Sequence, residues 1–263
     1  MPASNLAVFK IHVNERVAVT TKVDMPARLG PETPALVLAH GANNDLDHPL
    51  LATIARYLSS QVGTIVVRFN FPYAERGAGS PDSATTLENA FKRVHDHVVD
   101  ELAAPGAPVF VGGKSMGGRI AAELVSRGEE GEGLLAAGLV ELGYPLHRPG
   151  HKETLFTEPL RKIGVPSLFC IGENDPFCDA DLLRPLLERL LHPGRLYVVA
   201  GGDHSLHRAG AGKAKTAGKA ATAGAVGAAG GAAATGTGTA ATTAPDEFLE
   251  VAQVVAQFMG EVA

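Results

Sequence analysis

The sequence is poor in three things: cysteine, net charge and long apolar runs. Only Cys170 and Cys178 occur in 263 residues. Two are too few for a disulfide framework and are not spaced as a C-x-x-C redox or zinc pair, so they read as small buried thiols in a reducing compartment. The 23 basic and 28 acidic residues leave a formal charge of −5, which supplies no overall electrostatic footprint for nucleic acid or an anionic membrane. No apolar run is long enough to span a bilayer, and Met1 to Lys10 lacks the basic-then-apolar layout of a secretory signal. The expectation is a soluble, cytoplasmic protein, with a nuclear location left open, that has no nucleic-acid or membrane partner.

Between Ala209 and Pro245, larger side chains are also scarce. Ala, Gly and Thr fill this stretch (16, 9 and 7 residues), with Val226 its one larger apolar group. Such a segment cannot bury enough surface to offset its ordering entropy and is expected to be disordered. Arg208, Lys213, Lys215 and Lys219 make its beginning basic. A protein partner could bind there, although such runs are usually only solvated. Insertion at this point is cheap because loop closure costs entropy slowly with length.

What is there alternates short β-branched runs with longer amphipathic ones, the pattern of an α/β protein. Phe9–Val13 and Val17–Val23 read as an antiparallel hairpin. Ala35–Ala39, apolar on both faces, reads as a strand inside a parallel sheet. Further strands are expected at Thr64–Phe69, Val109–Gly112, Leu134–Leu142, Ser167–Gly172 and Leu196–Val199. Helices are expected at Pro49–Gln61, Ser83–Leu102, Gly117–Arg127, Asp181–Leu191 and Asp246–Met259. The outcome is a single domain over 1–263 with a mostly parallel sheet of about eight strands, interrupted by the 209–245 insertion. The stretch from Leu142 to Ser167 is too short for a cap domain, so the site should be open and suit small or accessible substrates.

The most informative stretch is Gly113-Lys114-Ser115-Met116-Gly117, a G-x-S-x-G pattern between an expected strand and helix. A nucleophile raised on a strained strand-to-helix turn needs neighbours without a β-carbon, and Gly113 and Gly117 supply that room. The helix beginning there aims free N–H groups at the same spot, so the Met116 N–H is the first candidate oxyanion donor. The second is the Ala42 N–H in the loop His40-Gly41-Ala42-Asn43 after the early buried strand.

A serine hydroxyl also needs a base, and the base needs a carboxylate to fix its tautomer. Asp175 follows one expected strand and His204 follows the last, giving the order Ser, Asp, His. Among ten histidines, His207 is the rival for the base, and Asp179 and Glu141 are rivals for the acid. Asp203 reads as a turn residue and His40 as a local hydrogen-bonding brace for its loop. His95 and His97 point about 200° apart on a helix, too divergent to share a metal, and are expected at the surface. Lys114, Arg68, Arg76 and Arg119 could draw a substrate carboxylate or phosphate to the mouth, or could simply pair with Asp and Glu.

Taken together, Leu38-Ala39-His40-Gly41-Ala42, Arg68-Phe69-Asn70-Phe71-Pro72-Tyr73, Gly112 to Arg119, Asp175-Pro176-Phe177 and Gly202-Asp203-His204-Ser205 resemble the α/β-hydrolase superfamily. Within it they are similar to the branch containing testis-expressed protein 30 and the hydrolase-like domain of NSL-complex subunit 3. The resemblance implies a lidless fold related to dienelactone hydrolases, with Ser115 in place of their cysteine. Its members are mostly described as predicted hydrolases, and one is a subunit of a chromatin complex. The expected activity is cofactor-independent and metal-independent serine hydrolysis of an ester or thioester. An idle hydrolase-like scaffold acting in protein interaction is the alternative, and acyl transfer on the same three residues is a third reading.

Overall fold

Apolar strands alternating with helices build, in the computed structural model, an eight-stranded sheet with helices on both faces. The structure describes residues 5–128, 130–208 and 247–263. The 209–245 segment, with the disorder and the partner expected of it, lies outside them.

In chain order the first elements are strands β1 (Asn5–His12), β2 (Ala18–Met25) and β3 (Ala35–Ala39), helix α1 (Pro49–Tyr57), strand β4 (Ile65–Phe69), helix α2 (Pro72–Glu75) and helix α3 (Ala84–His97). Next come β5 (Val109–Lys114), α4 (Met116–Val125), β6 (Gly138–Leu142), β7 (His147–Arg148) and β8 (His151–Leu155). The remainder is β9 (Ser167–Gly172), α5 (Ala180–Leu187), β10 (Arg195–Val199) and α6 (Leu249–Val262). The sheet order is β1-β2-β4-β3-β5-β6-β9-β10, antiparallel at β1/β2 and β2/β4 and parallel from β4 through β10.

Each residue of β3 is sealed from solvent, as a central parallel strand covered on both faces must be. On one face Leu87, Phe91 and Val94 of α3 share an apolar cluster with Ile120 and Leu124 of α4 and Leu183 and Leu187 of α5. On the other, Leu50, Leu51 and Ile54 of α1 pack with Val251, Val255 and Phe258 of α6. Side-chain caps set the helix starts: His48 Nδ1 accepts the Leu50 N–H, Ser83 Oγ that of Thr86, and Asp179 Oδ1 that of Asp181.

Several boundaries differ from expectation for local reasons. Leu134 does not begin β6, because its N–H bonds to the Leu124 carbonyl and ties it to the end of α4. The helices expected to reach Gln61 and Leu102 end in π-turns at Leu58–Val62 and Val98–Leu102. Between β6 and β9 stand only the β7–β8 hairpin and a 3-10 turn at Leu160–Lys162, so no cap covers the carboxyl edge of the sheet. His95 is a correction: it is buried, because it lies four residues after Phe91 on the inward face of α3. His97 is half-buried, its ring 5.5 Å from that of Phe9.

Candidate active site

The carboxyl edge of the parallel strands gathers three loops. Strand β5 runs straight into α4 with Ser115 as the single residue between them, at φ 51° and ψ −114°. That backbone region is unfavourable for a residue with a side chain. The turn is held by the Ser115 N–H donating to the Leu142 carbonyl (3.0 Å) and the Arg119 N–H donating to the Ser115 carbonyl (2.9 Å). Close packing fixes its flanks: a Cβ on Gly113 would meet the Ala39 carbonyl oxygen at 2.5 Å, and one on Gly117 the His40 carbonyl oxygen at 2.5 Å. Neither position has room for a side chain.

His204, in the loop after β10, places Nε2 2.8 Å from Ser115 Oγ. Its Nδ1 lies 2.9 and 2.8 Å from the two carboxylate oxygens of Asp175, in the turn after β9. With Nδ1 facing a carboxylate, the tautomer assigned by the partners carries its proton there and leaves Nε2 free to accept the serine proton. The Asp175 side chain is sealed from solvent and that of His204 is 19% exposed. The structure thus brings Ser115, His204 and Asp175 into one hydrogen-bonded chain from segments far apart in sequence.

The two backbone positions expected to face the oxyanion flank this chain. Met116 opens α4, where the first N–H groups have no intrahelical acceptor. Ala42 follows Gly41, whose Cα approaches so closely that a Cβ there would sit 3.4 Å from Ser115 Cβ. His40 braces that loop: Nδ1 donates to the Gly41 carbonyl (2.8 Å) and Nε2 accepts the Phe71 N–H (3.0 Å). Burial lowers its pKa from the ordinary 6.5, which suits a neutral ring that both donates and accepts. The Tyr73 hydroxyl donates to the same Gly41 carbonyl at 3.1 Å, a brace that nothing in the sequence pattern announces.

A family model for the alpha/beta hydrolase domain matches residues 32–228 of this chain. The chain belongs to the alpha/beta hydrolase family. Solved structures with the same fold include a lidless α/β serine hydrolase from Xanthomonas campestris (19% identity, TM-score 0.60, covering 78% of this chain and 88% of that one). Dienelactone hydrolase from Anabaena variabilis aligns at 15% identity with a TM-score of 0.66 over 98% of both chains. Est1E from Butyrivibrio proteoclasticus, with ferulic acid bound, gives 12% identity and a TM-score of 0.67 over 97% of this chain and 98% of that one. At such identities these likenesses concern the fold.

The rival residues stand outside the hydrogen-bonded chain of Ser115, His204 and Asp175. His207 faces Glu247 (Nδ1 to Oε2, 2.9 Å). Asp179 caps α5 and pairs with Lys152. Asp203 is a turn residue whose Oδ1 accepts the N–H groups of Ser205 and His207. Glu141 is sealed inside β6 with no hydrogen bond to either carboxyl oxygen, and desolvation holds its pKa well above the ordinary 4.5.

The basic residues divide likewise. Arg68 is buried and paired with Asp24 at 2.9 Å, Arg76 pairs with Asp82 at 2.6 Å, and Arg119 pairs with Glu123 at 2.9 Å. All three therefore follow the pairing reading. Lys114 is buried beside the nucleophile; desolvation lowers its pKa, against the pull of the Asp203 and Asp175 carboxylates. Among the described residues no group of three or more His, Cys, Asp or Glu is arranged to hold a metal ion, and no helix is long and apolar enough to cross a membrane.

Proposed function

We propose that this hydrolase is a serine hydrolase cleaving small or accessible carboxylic esters or thioesters through an acyl-enzyme on Ser115. The observation that supports the reading is the 2.8 Å contact of Ser115 Oγ with a His204 ring whose other nitrogen rests on Asp175.

In the first half-reaction His204 Nε2 takes the Ser115 proton as Oγ attacks the acyl carbon. The negative charge that develops on the carbonyl oxygen is met by the N–H groups of Met116 and Ala42, helped by the positive end of α4. Collapse of the tetrahedral intermediate breaks the acyl–oxygen or acyl–sulfur bond, and His204 returns the proton to the leaving alcohol or thiol. A water molecule, deprotonated by the same Nε2, then attacks the acyl group, and Ser115 leaves with the proton restored. Asp175 keeps the imidazole in the required tautomer and stabilises the imidazolium formed in each half.

The absence of a cap between β6 and β9 favours substrates that reach an open edge. We further read the chain as a cytoplasmic, single-domain member of the branch that includes testis-expressed protein 30, on the residue motifs it shares with that branch. A fluorophosphonate probe tests the activity: wild type should be labelled and Ser115→Ala should not. A folded wild type that the probe leaves unmodified would sink the proposal in favour of an idle scaffold.

A further inference from the structure

Phe177 stands in the turn between β9 and α5, two residues after Asp175, and is half-buried. It belongs to neither apolar cluster of the fold, so core packing does not account for it. Two of its contacts converge on the base and its carboxylate, and a third ties the turn to a neighbouring element. The ring centroid lies 4.4 Å from that of His204, with the planes tilted by 40°. The Phe177 N–H donates to Asp175 Oδ1 at 2.8 Å. Its carbonyl accepts the His147 N–H at 3.0 Å, which joins the turn to the β7–β8 hairpin.

We propose that Phe177 is the positioning residue of His204. It carries the imidazole on its aromatic face, tethers the Asp175 carboxylate through its N–H, and fastens both to the hairpin that occupies the place of a cap. The physical need is specific. His204 is held in its plane by hydrogen bonds at Nδ1 and Nε2, and in-plane bonds resist rocking of the ring poorly. An aromatic face at van der Waals distance removes that freedom. It also keeps water from one side of the Asp175–His204 hydrogen bond, where exclusion of solvent strengthens the interaction, and its π-electrons favour the cationic imidazole formed on proton transfer. In an uncapped site no covering domain performs these tasks.

The inference rests on the proposed roles of Ser115, His204 and Asp175 for its kinetic consequence only. The test uses the full chain, with p-nitrophenyl acetate as the probe substrate and proton NMR of the downfield Nδ1–H resonance of His204. Phe177→Ala should lower kcat by about 10- to 100-fold, the scale of a misplaced catalytic group, with KM little changed, and should broaden the downfield resonance through exchange with water. Phe177→Tyr should restore both. Phe177→Leu, which retains apolar volume, serves if the alanine variant fails to fold, and should fall between them.

A sharp resonance in folded Phe177→Ala, or undiminished kcat, would overturn the proposal, as would a folded tyrosine variant that behaves like the alanine one. A wild type that neither hydrolyses the ester nor reacts with fluorophosphonate would defeat the hydrolase reading. The resonance would still decide whether Phe177 positions the ring.

Discussion

Glu141 lies in β6 and Asp175 just past the end of its neighbour β9, and both are buried carboxyls. Asp175 sits past the end of its strand, where the chain turns and backbone donors and a facing imidazole are within reach: it accepts from Phe177 N–H and lies against His204 Nδ1. Glu141 sits inside its strand, opposite Gly113 in register, where the backbone groups are already committed to the ladder and neither carboxyl oxygen finds a donor. A buried carboxylate needs donors, and without them the group keeps its proton. The position relative to the strand end therefore separates a carboxylate that can orient a base from a neutral acid that packs under a helix.

The largest expected effect tests that separation directly. Asp175→Asn should lower kcat on p-nitrophenyl acetate by about 10⁴-fold, because an amide favours the wrong tautomer of His204. Glu141→Gln, which mimics the protonated acid, should leave kcat within about threefold of wild type. Equal losses in the two variants would erase the distinction, and the reverse order would make Glu141 the acid.

The sheet, its approximate strand count and the strand-end positions of Ser115, Asp175 and His204 were legible because each depends on local pattern: apolar runs such as Ala35–Ala39, and glycines flanking a serine. What remained hidden depends on contacts across the fold. Whether Arg68 meets a substrate or Asp24 is decided by the register of β2 against β4, which puts Asp24 opposite Val66 and Lys22 opposite Arg68. His95 is expected at the surface from its mid-helix position, yet its phase on α3 relative to Phe91 carries it inward. The β7–β8 hairpin has no alternating apolar pattern, its five-residue strand His151–Leu155 being largely exposed, so sequence showed only that no cap would fit there. The roles of Phe177 and Tyr73 rest on contacts with loops distant in sequence.

Arg68 extends the comparison to a buried cation. Its guanidinium donates to Asp24 (2.9 Å) and to the Leu46 carbonyl (2.8 Å), so, unlike Glu141, it is a buried group with partners. Asp24→Ala leaves that buried charge with the exposed Asp47 carboxylate as its acidic neighbour and should cost about 3–5 kcal/mol in chemical denaturation. A loss below about 1 kcal/mol would show that water or Asp47, 3.6 Å from Nη1, takes over the pairing.

A smaller effect probes how Glu141 is packed. A Cβ on Gly118 would lie 2.1 Å from Glu141 Oε2 and 2.7 Å from the Gly113 carbonyl oxygen. Gly118→Ala should therefore destabilise the fold by about 1–3 kcal/mol through overpacking. Shortening Glu141 to Ala removes one of the two clashes and leaves the other. The double variant Gly118→Ala/Glu141→Ala should thus show a favourable coupling of about 1 kcal/mol in a denaturation cycle, whereas strict additivity would mean that Glu141 does not touch α4.

The smallest effects are slopes of stability with pH, and Glu141 and His95 should give slopes of opposite sign. Desolvation raises the folded pKa of Glu141 above the ordinary 4.5. Above pH 4.5 the unfolded chain has released a proton that the folded chain still holds, so stability falls as pH rises toward the raised value. Glu141→Gln should remove that decline. Desolvation lowers the folded pKa of His95 below the ordinary 6.5. Below pH 6.5 the unfolded chain binds a proton that the folded chain refuses, so stability falls as pH drops toward the lowered value, and His95→Leu should flatten this acid limb. Each group contributes at most about 1.4 kcal/mol per pH unit. Urea midpoints measured from pH 4 to pH 9 for both variants and wild type would separate the two limbs. Unchanged slopes in Glu141→Gln would mean that its carboxyl is solvated in solution and that the contrast with Asp175 is smaller than its surroundings imply.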